Sequence, residues 1–60
     1  MDADLSYYRR RSMEENGAAR AAPDSRVRAV HLELARRYEQ RCATMEAELR
    51  LAHLHLVSAA

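Results

Sequence analysis

The stretch that decides the fold runs from Asp24 to Val57 and reads DSRVRAVHLELARRYEQRCATMEAELRLAHLHLV. Apolar or small residues recur in it at steps of three or four, which is the period of an α-helix and keeps one face toward a partner. No Gly or Pro interrupts the pattern, so the sequence predicts one long helix. The members of this stripe are Val27, Val30, Leu34, Tyr38, Cys42, Met45, Leu49, Ala52 and Leu56.

A weaker helical pattern precedes this stretch and ends at Pro23. The residue before a proline is disfavoured in helical geometry, so we expect the first helix to end at Ala22. Asn16-Gly17 is a turn signal that would split this helix, but we favour a helical glycine, at a cost of about 1 kcal/mol relative to Ala. The prediction for the 60 residues is a single domain with helix 1 at about 4–22, a turn at about 23–24 and helix 2 at about 25–57.

So short a turn forces the two helices into an antiparallel hairpin. Residues equidistant from Pro23 should face each other, so the numbers of a facing pair add up to about 46. This register places Tyr8 against Tyr38 and favours a contact between Glu15 and His31. The predicted core of the hairpin consists of Leu5, Tyr8, Ala19, Val27, Val30, Leu34, Tyr38 and Cys42.

The first helix is too short to cover the second, because its N-terminal end lies opposite about Met45. The uncovered residues 46–57 are rich in leucine, and the leucines point to several sides of the helix, which is typical of a helix buried on several sides. We therefore expect an all-α fold in which the hairpin completes a helical bundle by homo-oligomerisation, most simply a dimer forming a four-helix bundle. The predicted oligomer interface consists of Met45, Leu49, Leu51, Ala52, Leu54, Leu56 and Val57.

The composition gives little support to a nucleic-acid or membrane partner for the whole chain. The net charge is only +1, and all ten basic residues are arginine, which we attribute to a GC-rich codon usage rather than to phosphate recognition. A single cysteine fits a reducing cytosol. No signal peptide is visible, and the apolar C-terminal stretch is shorter than the roughly 20 residues of a membrane span. We expect a cytoplasmic protein.

The histidines and the cysteine are the residues that could carry chemistry. His53 and His55 point about 200° apart on a helix, so one ion cannot bind both from the same chain; a metal held between chains stays an open alternative. His31 and Cys42 lie on the core stripe, where a structural role is the default. We expect no catalytic residue, no cofactor and no metal site, and hence no enzyme.

The run Tyr7-Tyr8-Arg9-Arg10-Arg11 is the most distinctive motif of the chain. Interleaved aromatic and arginine side chains can stack on bases and bind phosphates. It supports an alternative function, a small nucleic-acid-binding regulator, with Arg9, Arg10 and Arg11 as the contact residues, joined by Arg20, Arg26 and Arg28. We favour a small helical interaction and oligomerisation protein that binds a protein partner.

The same run also carries a resemblance. Together with the segment from Arg28 to Ala35 and with Tyr38, it resembles small uncharacterised alphaproteobacterial proteins that have a Tyr-x-Arg-Arg start and a His-x-x-Leu-Ala-x-x-Tyr second half. The likeness covers about residues 6–39. It implies a bacterial helical hairpin and no particular activity, and the chain after Glu39 lies outside it.

Overall fold

The computed structural model describes the backbone of residues 2–59 and the side chains of residues 3–58. Helix α1 spans Asp2–Ala21 and helix α2 spans Ser25–Ala59. The two pack against each other as a hairpin that measures 54 × 16 × 11 Å. Helix α1 continues through Gly17 without a break, and a Cβ at that position would meet no atom within 4 Å. The glycine is therefore a tolerated helical residue rather than a turn.

Hydrogen bonds of Asp24 and Arg28 stabilise the connection between the two helices. The carboxylate of Asp24 accepts a hydrogen bond from the backbone N–H of Arg26 at 2.7 Å, and the Asp24 carbonyl accepts the first helical bond of α2, from Arg28 N–H at 2.9 Å. Asp24 is thus the N-cap of α2. The guanidinium of Arg28 donates to the carbonyl of Ala22 at 3.1 Å, which places a cation at the C-terminal end of α1.

Small residues form the contact between the helices. Ala19 and Ala35 are only 2% and 1% exposed, and no large side chain among the described residues is fully buried. Small side chains at the contact let two helices approach closely, but they bury little apolar area. The hairpin core is therefore narrow and thin. Its buried members are Leu5, Ser12, Glu15, Ala19, Ala22, Ala35 and Cys42.

The register predicted from the turn is confirmed by two contacts. The ring centroids of Tyr8 and Tyr38 lie 6.0 Å apart, with the rings tilted by 34°. Glu15 Oε1 lies 2.6 Å from His31 Nδ1. Both contacts link residues equidistant from Pro23, as expected of an antiparallel pair with so short a connection.

The structure differs from the sequence-based core at Val27 and Val30, which are 46% and 58% exposed. The reason is the rotation of α2 about its own axis. The face that contacts α1 is centred on Ala35 and Cys42, and at 100° per residue Val30 lies about 140° away from Ala35. Leu34 and Tyr38 are intermediate in exposure at the border of this face, and Tyr8 of α1 is also intermediate. Ala22 and Ala35, absent from the predicted core, take the buried positions.

Candidate interaction surface

The two helices differ greatly in length. Helix α1 has 20 residues and α2 has 35, so at 1.5 Å per residue they measure about 30 Å and about 52 Å. Arg9 Nη2 donates to Glu46 Oε1 at 3.0 Å across the hairpin, near the N-terminal end of α1. Beyond Glu46, helix α2 continues toward Ala59 with little of α1 left to cover it. We refer to residues 47–58 as the tail.

The tail exposes large apolar side chains on more than one side of the helix. Four large apolar side chains of the tail are between 56 and 70% exposed, namely Leu51, Leu54, Leu56 and Val57. Leu51 and Leu54 lie about 60° from each other on one side of the helix, while Leu56 lies roughly 140° from Leu51, on another side. Among the predicted interface residues, Met45 and Leu49 are intermediate in exposure, while Leu51, Ala52, Leu54, Leu56 and Val57 are exposed.

A second apolar surface lies near the turn, on the side of α2 that carries Val27 and Val30. A shallow groove of about 330 Å³ occurs there, and we call it the α2 groove. Its lining residues are Ala29, Val30, Glu33, Leu34 and Arg37. The sequence analysis missed this surface because it assigned Val27 and Val30 to the contact with α1. The signal that could have revealed it is the second stripe of small residues through Ala35 and Cys42.

The buried polar residue Glu15 links the two helices. Its carboxylate accepts from Arg11 Nη2 at 2.6 Å and pairs with the His31 ring. The hydrogen bond from His31, followed by that from Arg11, holds the pKa of Glu15 below its usual value, although burial acts in the opposite direction. The pKa of Arg11 is raised by its hydrogen bond to Glu14, by Tyr38, whose ring centroid lies 5.2 Å from the Arg11 guanidinium carbon, and by Glu15.

The polar groups of the cluster of Arg11, Glu15 and His31 form their hydrogen bonds within the chain rather than with a ligand. No buried side-chain nitrogen or oxygen among the described residues lacks a hydrogen-bond partner. Neither the α2 groove nor a more polar depression of about 430 Å³ on α2 includes Glu15 or His31. A carboxylate and an imidazole are therefore in hydrogen-bond contact, but they line neither of these two depressions.

The arginines of the Tyr/Arg run are engaged within the chain. Arg9 pairs with Glu46, Arg11 pairs with Glu14 and Glu15, and the Arg10 guanidinium lies over the Tyr7 ring at 5.6 Å. The ring of Tyr8 is likewise covered by a cation, because Arg41 lies 5.6 Å from its centroid. The aromatic and cationic groups that a nucleic acid would need are thus already in contact with one another.

The remaining candidates from the sequence lie apart. His53 and His55 are exposed on the tail, and Cys42 is a buried free thiol in the hairpin core. Within residues 2–59, no three side chains of the His, Cys, Asp and Glu types come together as a metal site. The same residues contain no helix apolar over a length sufficient to cross a bilayer. Comparisons with protein-family models, curated proteins and solved structures found no match for this chain.

Proposed function

We propose that this chain is a non-catalytic self-association module, a cytoplasmic homodimer that presents its assembled helices to a protein partner. The observation that carries the proposal is the tail, which extends past α1 and exposes Leu51, Leu54, Leu56 and Val57. Contiguous exposed apolar surface of this kind marks an interaction site in soluble proteins. Arg9 and Arg11 form ion pairs with acidic residues of the same chain. They therefore support a nucleic-acid partner less than the tail supports self-association.

The magnitudes favour a second copy as the first partner of the tail. Complete burial of a large aliphatic side chain contributes roughly 1.5–3 kcal/mol. The four tail side chains are already partly buried in each copy, so association gains only the remaining part of this free energy. For two copies the gain is on the order of 8–15 kcal/mol. Association costs an estimated 4–15 kcal/mol. The two ranges overlap, so dimerisation is favourable when most of the tail surface is buried and the cost of association lies in the lower part of its range.

Sedimentation at micromolar concentration tests the proposal. The wild-type chain should sediment as a dimer, and a variant carrying Leu51→Asp with Leu56→Asp should sediment as a monomer. Both substituted residues are exposed within one chain, so the change does not remove a contact of the hairpin itself. The matched control is Met13→Asp, which introduces the same charge at an exposed apolar residue of α1.

We expect the control variant to keep the mass of the wild-type dimer. A wild-type chain that sediments as a folded monomer at tens of micromolar would contradict the proposal, and so would a tail variant that remains dimeric.

A further inference from the structure

We propose that the tail of one copy lies antiparallel along the α2 groove of a second copy, so that the dimer contains two identical tail-in-groove contacts. This inference rests on the proposed self-association and specifies its geometry. Both surfaces belong to the same helix, with the groove near the turn and the tail at the opposite end. A two-fold axis near the middle of α2 brings each tail onto the partner's groove and makes the interface isologous.

A heptad pattern runs along the exposed side of α2 and joins the two surfaces. Its positions have the three- and four-residue spacing of the a and d positions of a coiled coil, and four of them carry apolar residues, namely Val27, Val30, Leu34 and Leu51. Nine of the ten are exposed in the hairpin, and Leu34 alone is intermediate. These positions are Val27, Val30, Leu34, Arg37, Arg41, Thr44, Glu48, Leu51, His55 and Ser58. The pattern drifts around a straight helix by about 20° per heptad, so the pair would coil left-handedly.

The charges in the middle of this pattern select the antiparallel direction. In a parallel dimer each position meets its own copy, so Arg37 would face Arg37 and Glu48 would face Glu48. Such like-charge contacts are unfavourable. In an antiparallel dimer the register that pairs Arg37 with the partner's Glu48 also pairs Leu34 with the partner's Leu51. Arg37 then meets an opposite charge and Leu34 meets a large apolar side chain, while Arg41 faces the partner's Thr44 and lies within one turn of the partner's Arg41 near the two-fold axis.

The hairpin leaves the required groups accessible. The Arg37 side chain is 71% exposed and meets Glu33 through Nε at 3.4 Å. Glu46 is already paired with Arg9, whereas Glu48 forms no ion pair or side-chain hydrogen bond within residues 3–58. Helix α1 contacts a different side of α2, centred on Ala35. A second copy can therefore approach most of the heptad side without meeting α1, and the contact with α1 on that side comes from Arg41, whose guanidinium lies over the Tyr8 ring.

An antiparallel pairing of the two tails alone would leave Val27 and Val30 exposed. The tail-in-groove arrangement buries these side chains together with Leu34 and Leu51, while Leu56 and Val57 lie about 140° and about 120° from Leu51 and stay outside this contact. Because the free energy available from the tail is of the same order as the cost of association, the additional apolar area of Val27, Val30 and Leu34 favours this arrangement.

Disulfide trapping tests the register. The experiment uses the full chain with Cys42→Ser, so that the buried thiol takes no part, and adds Leu34→Cys and Leu51→Cys. Within one chain these positions lie 17 residues apart on a single helix, about 25 Å, whereas a disulfide requires a Cα–Cα distance of roughly 4.4–6.8 Å. Mild oxidation should therefore produce a covalent dimer that reducing agent converts back to a single chain.

Two controls accompany the trapping. Leu32→Cys with Leu51→Cys places the thiol on an exposed residue of the other side of α2, and it should give little covalent dimer. Leu51→Cys alone should also remain uncrosslinked. Efficient dimers from Leu51→Cys alone would show that tails meet tails, and they would overturn the inference while leaving the proposed dimer intact. A monomeric wild type in sedimentation would remove both proposals.

A charge exchange provides an independent measurement. Arg37→Glu or Glu48→Arg alone should raise the dimer dissociation constant by on the order of tenfold to a hundredfold, because two pairs per dimer become repulsive. The combined variant should recover most of the wild-type affinity. Arg36→Glu, the adjacent exposed arginine that also pairs with Glu33, should have little effect. Absence of recovery in the combined variant would contradict the antiparallel register.

Discussion

At the scale of single residues, Glu15 connects the two helices through hydrogen bonds with Arg11 on its own helix and His31 on the other. These partners stabilise its charged form. The side chain has a relative exposure of 9% yet is fully paired, which is the condition under which a buried carboxylate is tolerated. Protonation would replace an acceptor of two hydrogen bonds with a neutral group and weaken the link between the helices.

The first prediction concerns pH. Because the pKa of Glu15 is lower in the folded chain than in the unfolded one, its contribution to stability is fully present above the unfolded pKa of about 4.3. The contribution is lost as the pH falls through the lower, folded pKa. Melting temperatures measured from pH 7 to pH 2 should decline at the acid end. Glu15→Gln should reduce that decline, whereas Glu14→Gln, at an exposed residue, should retain it. Identical acid profiles for wild type and Glu15→Gln would exclude this role.

At the scale of the elements, the pairing of α1 with α2 depends on the tyrosines near the open end of the hairpin. The ring of Tyr8 lies against Tyr38 and is flanked by Tyr7 at 5.4 Å and by the Arg41 guanidinium at 5.6 Å. Near the turn the helices meet through alanines instead. The aromatic pair therefore supplies larger side chains to the contact between the helices at this end.

The second prediction is a coupling between Tyr8 and Tyr38. Each change to Ala should lower the free energy of unfolding by about 2–4 kcal/mol. The double variant should lose less than the sum by about 0.5–1.5 kcal/mol, because the rings touch. Urea unfolding of the four proteins measures this, and Tyr7→Ala, at an exposed ring, should cost clearly less. Strictly additive losses would contradict a direct contact.

At the scale of the whole molecule, the hairpin is small for independent stability. A domain of about 60 residues buries only about 60% of the surface of its unfolded chain, and here alanines supply much of the contact between the helices. A second copy packed on the tail and the α2 groove would give four helices one common core. Folding and association would then be coupled.

The third prediction follows from that coupling. The melting temperature of the wild-type chain should rise with protein concentration, because a dimer is stabilised by mass action. Circular dichroism at about 5 and about 100 μM can measure the change. The variant with Leu51→Asp and Leu56→Asp should melt lower and show no dependence on concentration. A concentration-independent melting temperature for the wild type would mean that the hairpin is stable alone.

The local structure of this protein could be predicted from its sequence, because it depends on neighbouring residues. The 3.6-residue period predicts two helices, and Pro23 places the short turn that makes them antiparallel. The turn also sets the register, which is why the contacts of Tyr8 with Tyr38 and of Glu15 with His31 could be inferred before the structure.

The rotation of α2 against α1 was decided only by the tertiary structure. Two stripes run along α2 side by side, one of large residues through Val30 and Leu34 and one of small residues through Ala35 and Cys42. Periodicity shows which residues share a face but not which face meets α1, and the larger side chains suggested the wrong choice for Val27 and Val30. Close approach of the helices requires small side chains, so Ala35 faces α1 and the valines are left on the surface.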